Sequence, residues 1–145
     1  MVNGRTKGHD AEREIARKMN DIIEQAYRAK YGELSPDWKP QVVRNQMQSA
    51  VGGDDLAGTY NFSIEVKRQE ELSLNTWWAQ ACRSAARQGK QPVLIYKQNR
   101  KPWKVIMGGA IKHDTNSPTY HRVDRVEITL EDFLELFTKV VYSSL

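Results

Sequence analysis

Residues 54–68 read Asp54-Asp55-Leu56-Ala57-Gly58-Thr59-Tyr60-Asn61-Phe62-Ser63-Ile64-Glu65-Val66-Lys67-Arg68. In a β-strand alternate side chains share a face, so Ile64 and Val66 point into a core while Glu65 and Lys67 point the other way together. An acid and a lysine flanked by Ile and Val are costly to bury without a partner or a task. Asp55 starts an adjoining short strand, over Asp55–Ala57, and Gly58 to Asn61 form a hairpin-length connection that brings it within reach of Glu65. Asp54 and Asp55 are consecutive, so only one can face Glu65. Asp55 is that one, because Leu56 then turns to the core, and Asp54 caps the Gly52-Gly53 turn. Two converging carboxylates and the backbone carbonyl of Val66 are hard oxygen donors of the kind Mg²⁺ takes. Lys67 beside them is placed to hold a water or to stabilise a pentacovalent phosphate. On an exposed edge strand the same Glu–Lys pair would be a surface ion pair of little consequence.

Working outward, residues 9–30 have a helical stripe of Ile15, Met19, Ile22, Ile23, Ala26 and Tyr27, ended by Gly32 and Pro36. Glu12 projects along the centre of that stripe. It is either a solvated helix start favoured by the dipole, or a third ligand aimed at the sheet. Gln41 to Gln46 is a short strand and Ser49 to Gly53 a turn. Leu74 to Arg87 is a helix closed by Gly89, and Trp77 and Trp78, adjacent on it, must face different ways. Pro92 to Lys97 and Trp103 to Met107 are strands. Residues 108–125 read as loop, and Leu130 to Tyr142 as a last amphipathic helix capped by Thr129. The order is helix, three strands, helix, two strands, helix. It predicts an α/β fold with a mixed four- to five-stranded sheet flanked by helices, in a single domain over residues 1–145.

The chain has 145 residues with one cysteine, Cys82, which excludes a disulfide framework or a Cys-rich zinc site. No apolar run approaches a membrane span and Met1 to Lys7 lacks an apolar signal region, so a cytoplasmic, reducing setting is expected. His9, His113 and His121 are scattered without metal-ligand spacing. Net charge is +4, unevenly spread. The 42 residues from Leu72 to His113 hold no Asp or Glu and are +8, against −1 before them and −3 after. With Trp77, Trp78, Tyr96 and Trp103 interspersed, this stretch points to a polyanion, and to Arg83, Arg87, Lys97, Arg100, Lys101 and Lys104 as DNA-backbone contacts.

The series Lys7-Gly8 and Glu12-Arg13-Glu14, then Asp55-Leu56-Ala57-Gly58, then Ile64-Glu65-Val66-Lys67 resembles the PD-(D/E)xK nuclease superfamily. The nearest likeness is to archaeal-type Holliday-junction resolvases and small phage nucleases of that type. Each motif is short, and the specificity lies in their order and spacing. The resemblance implies a restriction-endonuclease-like fold, a homodimer, Mg²⁺ or Mn²⁺ dependence, and a site of Glu12, Asp55, Glu65 and Lys67. It adds Gln80, on the helix after the Glu-x-Lys strand, near the metal. Asp54 stands where many members have proline. Ser84 stands where the exonuclease-like branch has tyrosine, which argues against a processive exonuclease.

The function expected is hydrolysis of DNA phosphodiesters at branched DNA such as four-way junctions. Asp55, Glu65, the Val66 carbonyl and Glu12 hold metal, and Lys67 orients water. Alternatives are a linear-duplex nuclease of restriction or repair type, or a non-catalytic DNA-binding module of the same fold. The dimer contact is expected on the apolar face of the last helix or on the exposed one of Trp77 and Trp78.

Overall fold

Glu65 lies on a strand covered on both faces, and that sandwiching shapes the molecule. In this computed structural model, which describes residues 4–45 and 54–145, the elements are α1 (Gly4–Tyr31), β1 (Val43–Arg44), β2 (Leu56–Ala57), β3 (Phe62–Gln69), α2 (Leu74–Gln88), β4 (Gln91–Gln98), β5 (Lys104–Ile111), β6 (His121–Thr129) and α3 (Leu130–Ser144). The main sheet has the order β3-β4-β5-β6, and β1 and β2 form a separate antiparallel ribbon. The β3–β4 pair is parallel, with Glu65 opposite Leu94 and Lys67 opposite Tyr96, and α2 is the crossover between them. The pairs β4–β5 and β5–β6 are antiparallel. The sheet is therefore mixed and four-stranded.

The period-two pattern sends each strand's residues to two cores. Ile64, Val66, Val93, Ile95, Val105 and Met107 pack with Ile15, Met19 and Ile23 of α1 and with Phe133, Phe137 and Val141 of α3. The Phe62 and Phe133 rings meet edge-on, with centroids 5.4 Å apart. On the opposite face Leu94, Tyr96 and Ile106 pack with Trp77 and Ala81 of α2, and Trp78 is partly buried against them. The helices end where the sequence signals an end. Gly32 and Gly89 adopt φ of 86° and 64°, left-handed values that cost glycine nothing. The Thr129 hydroxyl accepts the Asp132 N–H at 3.0 Å and caps α3.

Three expectations are corrected. Residues 108–125 are not a loop, because β5 runs on to Ile111 and β6 begins at His121. A bulge on β6 opposite Met107–Gly109 puts Val123 and Val126 on one face despite their odd spacing, and this hides the strand from a period-two reading. The strand at Asp55–Ala57 shortens to Leu56–Ala57, and its ladder partner is β1 rather than β3. The apolar stripe of α3 is not available to a partner, since Phe133, Phe137 and Val141 are wholly buried in this chain's own core. The expected turn at Ser49–Gly53, the end of the first strand at Gln46 and the capping role of Asp54 towards Gly52-Gly53 fall outside the described residues.

Candidate active site

Glu65 sits in the middle of β3 on the face covered by α2 and is 1% exposed. Two α2 side chains one helical turn apart address it. The Ser84 hydroxyl donates to its Oε1 at 3.2 Å, and Gln80 Nε2 approaches Oε2 at 3.5 Å. Asp55 precedes β2 and is fixed against the outer edge of β3. Its own N–H donates to the Ile64 carbonyl at 2.9 Å, and its Oδ2 accepts the Val66 N–H at 2.7 Å. A residue's N–H and C=O leave a strand on the same side, so the Val66 carbonyl also faces the edge where Asp55 lies.

The two carboxyl groups hydrogen-bond each other, and burial outweighs the favourable charge of Lys67 at both. Burial pushes Glu65 up to about 8, reinforced by the neighbouring Asp55, with Lys67 and Ser84 opposing. Burial also raises Asp55 to about 6, against the Val66 N–H and with help from the charge of Glu12. Burial and mutual repulsion therefore disfavour ionising both carboxyls at once. Lys67 lies on the same face as Glu65, half-buried, and its charge favours ionisation of both. Two facing carboxylates that resist joint ionisation, next to a backbone carbonyl, are a hard-oxygen donor set that suits a divalent cation.

Glu12 is buried at 6% exposure and near enough to act on Asp55. Its Oε2 is engaged by Arg44 Nε at 2.7 Å. Among the described residues no three His, Cys, Asp or Glu side chains gather closely enough to hold an ion. The structure thus brings Asp55, Glu65, Lys67 and Gln80 together and sets Glu12 beside them, turned to an arginine. Asp54 is also buried, and accepts from Asn45 Nδ2 at 3.4 Å.

The six basic residues do not form one strip. Arg83 and Arg87 are exposed on α2, and Arg100 and Lys101 are exposed in the β4–β5 turn. Lys97 lies on the α1 side of the sheet, 5.8 Å from the centre of the Trp103 ring, and Trp103 Nε1 in turn donates to Glu14 of α1 at 2.6 Å. Lys104 lies on the α2 side, 3.1 Å from Glu127, which also accepts the Tyr96 hydroxyl at 2.6 Å. The sequence singled out Ser84, four beyond Gln80, only as a departure from the exonuclease-like branch, and its bond to Glu65 was not foreseen; Arg44 was missed altogether. Arg44 carried no local signal, because its proximity to Glu12 depends on the packing of β1 against α1.

The model of the phage putative PDDEXK endonuclease family matches residues 3–142, and the chain belongs to that family. Its α/β core is accordingly the restriction-endonuclease-like one, and the protein is of the nuclease class. Among solved structures the fold is similar to Hjc of Archaeoglobus fulgidus, described as a Holliday junction resolvase from an archaeal hyperthermophile. Identity is 15%, coverage 89% of this chain and 96% of that one, and the TM-score 0.41. No curated protein matches the sequence. No helix among the described residues is long and apolar enough to cross a membrane.

Proposed function

We propose that the protein is a Mg²⁺- or Mn²⁺-dependent DNA endonuclease, acting as a single 1–145 domain in the cytoplasm and cutting branched DNA such as four-way junctions. The observation that carries this is the buried Asp55–Glu65 carboxyl pair in a chain of an endonuclease family. Asp55, Glu65 and the Val66 carbonyl hold the cation, and Glu12 joins them. A divalent cation there supplies Lewis-acid stabilisation of the phosphate and lowers the pKa of a water. The chain's own groups do the rest. The Val66 N–H fixes one oxygen of Asp55, and Ser84 and Gln80 fix the rotamer of Glu65. Lys67 orients the attacking water and offsets charge on the phosphate as the leaving oxygen departs. Of the six basic residues, the exposed Arg83, Arg87, Arg100 and Lys101 contact backbone phosphates, while Lys97 and Lys104 lie on opposite sides of the sheet, against Trp103 and Glu127.

Two symmetric cuts at a four-way junction require two sites, so the protein works as a homodimer. The preference for branched DNA rests on the order of the Glu12, Asp55 and Glu65-x-Lys67 motifs. Purified protein in Mg²⁺ is to be given a four-way junction, a linear duplex and a single strand, with sedimentation run alongside. Paired cuts in the junction by a dimer are expected. A monomer that cuts duplex as fast as junction would replace the resolvase reading with the restriction or repair one.

A further inference from the structure

A groove of about 780 Å³ opens between α1 and the β1–β2 ribbon, beside Glu12. Arg13, Arg17 and Arg44 line it at the Glu12 end, and Asp21 and Glu24 line it farther along α1. At 1.5 Å per residue the span from Arg13 to Glu24 is about 16 Å, so the groove has a cationic end, where Arg44 is bonded to Glu12, and an anionic end away from it. A polyanion is drawn to the first and turned back by the second. Arg13 also pairs with Asp10 at 3.1 Å, but both are well exposed, and such a pair yields readily.

Arg44 links this groove to the reaction site. Its guanidinium has five N–H donors, and Nε–H is spent on Glu12 at 2.7 Å. Both side chains are largely buried, at 19% and 8% exposure. Parting such a pair leaves two desolvated charges, unless each finds a new partner at once. A cation at Asp55 and Glu65 is a new partner for Glu12, and a phosphate in the groove is one for Arg44.

We propose that the groove seats a phosphate of the DNA strand being cut, and that Arg44 exchanges Glu12 for that phosphate, releasing Glu12 to the cation. This rests on the nuclease reading and deepens it. Arg44 is a positioning residue acting through Glu12 as well as a phosphate contact. Because either exchange alone strands a buried charge, DNA binding and metal binding are coupled, each raising the other's affinity by the same factor.

Two measurements test this. In a Lys67→Ala background, with a short duplex whose phosphodiesters are replaced by uncleavable methylene analogues where the cut would fall, Mn²⁺ is titrated calorimetrically with and without that duplex. The duplex is expected to tighten Mn²⁺ binding by about fivefold or more, the ordinary scale of such coupling, and Arg44→Gln is expected to erase the difference. In a Glu12→Gln background, where Arg44 has lost its ionic partner, the salt dependence of duplex affinity is measured in EDTA. Adding Arg44→Gln should flatten the log–log slope by about 0.9, one phosphate's worth. This double variant removes both charges, so neither is left buried alone. An unchanged slope, or Mn²⁺ affinity indifferent to the duplex, would overturn the proposal and leave Arg44 as the counter-ion of Glu12. A chain with Arg44 intact that binds neither Mn²⁺ nor DNA would sink the nuclease reading itself.

Discussion

Replacing Glu65 with Gln should stabilise the metal-free protein at neutral and alkaline pH while destroying its ability to be stabilised by Mg²⁺. Glu65 titrates near 8 in the folded chain, against an ordinary 4.5. Between those values the folded state holds a proton that the unfolded state has released. Stability therefore falls as pH rises through this window, by about 1.4 kcal/mol per pH unit for one proton, and levels off above pH 8. Asp55, raised from 3.8 to about 6, contributes the same sign over a narrower and lower window. The two carboxyls resist ionising together, so the two contributions overlap. A net penalty on the order of 2–4 kcal/mol at pH 8 is the reasonable scale. Gln removes the ionisable group and keeps an oxygen for the Ser84 hydroxyl. Without metal, Glu65→Gln should then raise Tm at pH 8 by about 4–16 °C, using roughly 2–4 °C per kcal/mol for a chain of this size. At pH 4.5 the gain should nearly vanish, since folded Glu65 is protonated and unfolded Glu65 is already about half protonated. Excess Mg²⁺ should reverse the order, because it stabilises only the chain that binds it. The assay is calorimetry at pH 4.5, 6 and 8 in EDTA and in Mg²⁺. A Glu65→Gln protein less stable than wild type in EDTA at pH 8 would show that the carboxyl pair is not held against its own charge, and would remove the electrostatic argument for a cation.

Other outcomes follow from the same geometry. Lys67→Ala should leave Mn²⁺ binding within a few-fold and slow single-turnover cleavage by about 10²–10³, the scale of one electrostatic contact to the transition state; an unchanged rate makes Lys67 a surface charge. Replacing Arg100 and Lys101 together should flatten the salt dependence of DNA affinity by up to about 0.9 for each phosphate no longer neutralised, read by anisotropy at several ionic strengths. Phe133→Ala, which opens a wholly buried site between α1 and β3, should cost about 3–5 kcal/mol in urea unfolding.

The parts of the molecule that were legible in the sequence are those where one local rule governs. Alternation placed Ile64 and Val66 opposite Glu65 and Lys67, the Thr129 cap and Gly89 bounded two helices, and the stripe through Ile15, Met19 and Ile23 is the buried face of α1. What was illegible depends on packing between distant segments. β6 is an edge strand whose outward face is charged, and its bulge shifts the alternation between Val123 and Val126. The link from Asp55 to β3 is a backbone bond to Ile64 and a side-chain bond from Val66, not the expected ladder, yet it delivers the same carboxylate to the same place. Six cations that are near neighbours in sequence separate onto both faces of a sheet, because Lys97 and Lys104 sit on strands at opposite phases of the pleat. Arg44 reaches Glu12 across 32 positions, and no periodicity encodes that.

If Asp55 and Glu65 hold a divalent cation for phosphodiester hydrolysis, cleavage of a labelled four-way junction by wild type and by Asp55→Asn, in Mg²⁺ and in EDTA, will show it, with junction binding measured on the same samples. Wild type is expected to cut only in Mg²⁺, and Asp55→Asn to bind the junction as tightly or more tightly but to cut about 10³-fold more slowly, the order expected when essential electrostatic stabilisation is lost. Cleavage by Asp55→Asn at the wild-type rate, or by wild type in EDTA, would contradict the assignment of the cation to Asp55 and Glu65.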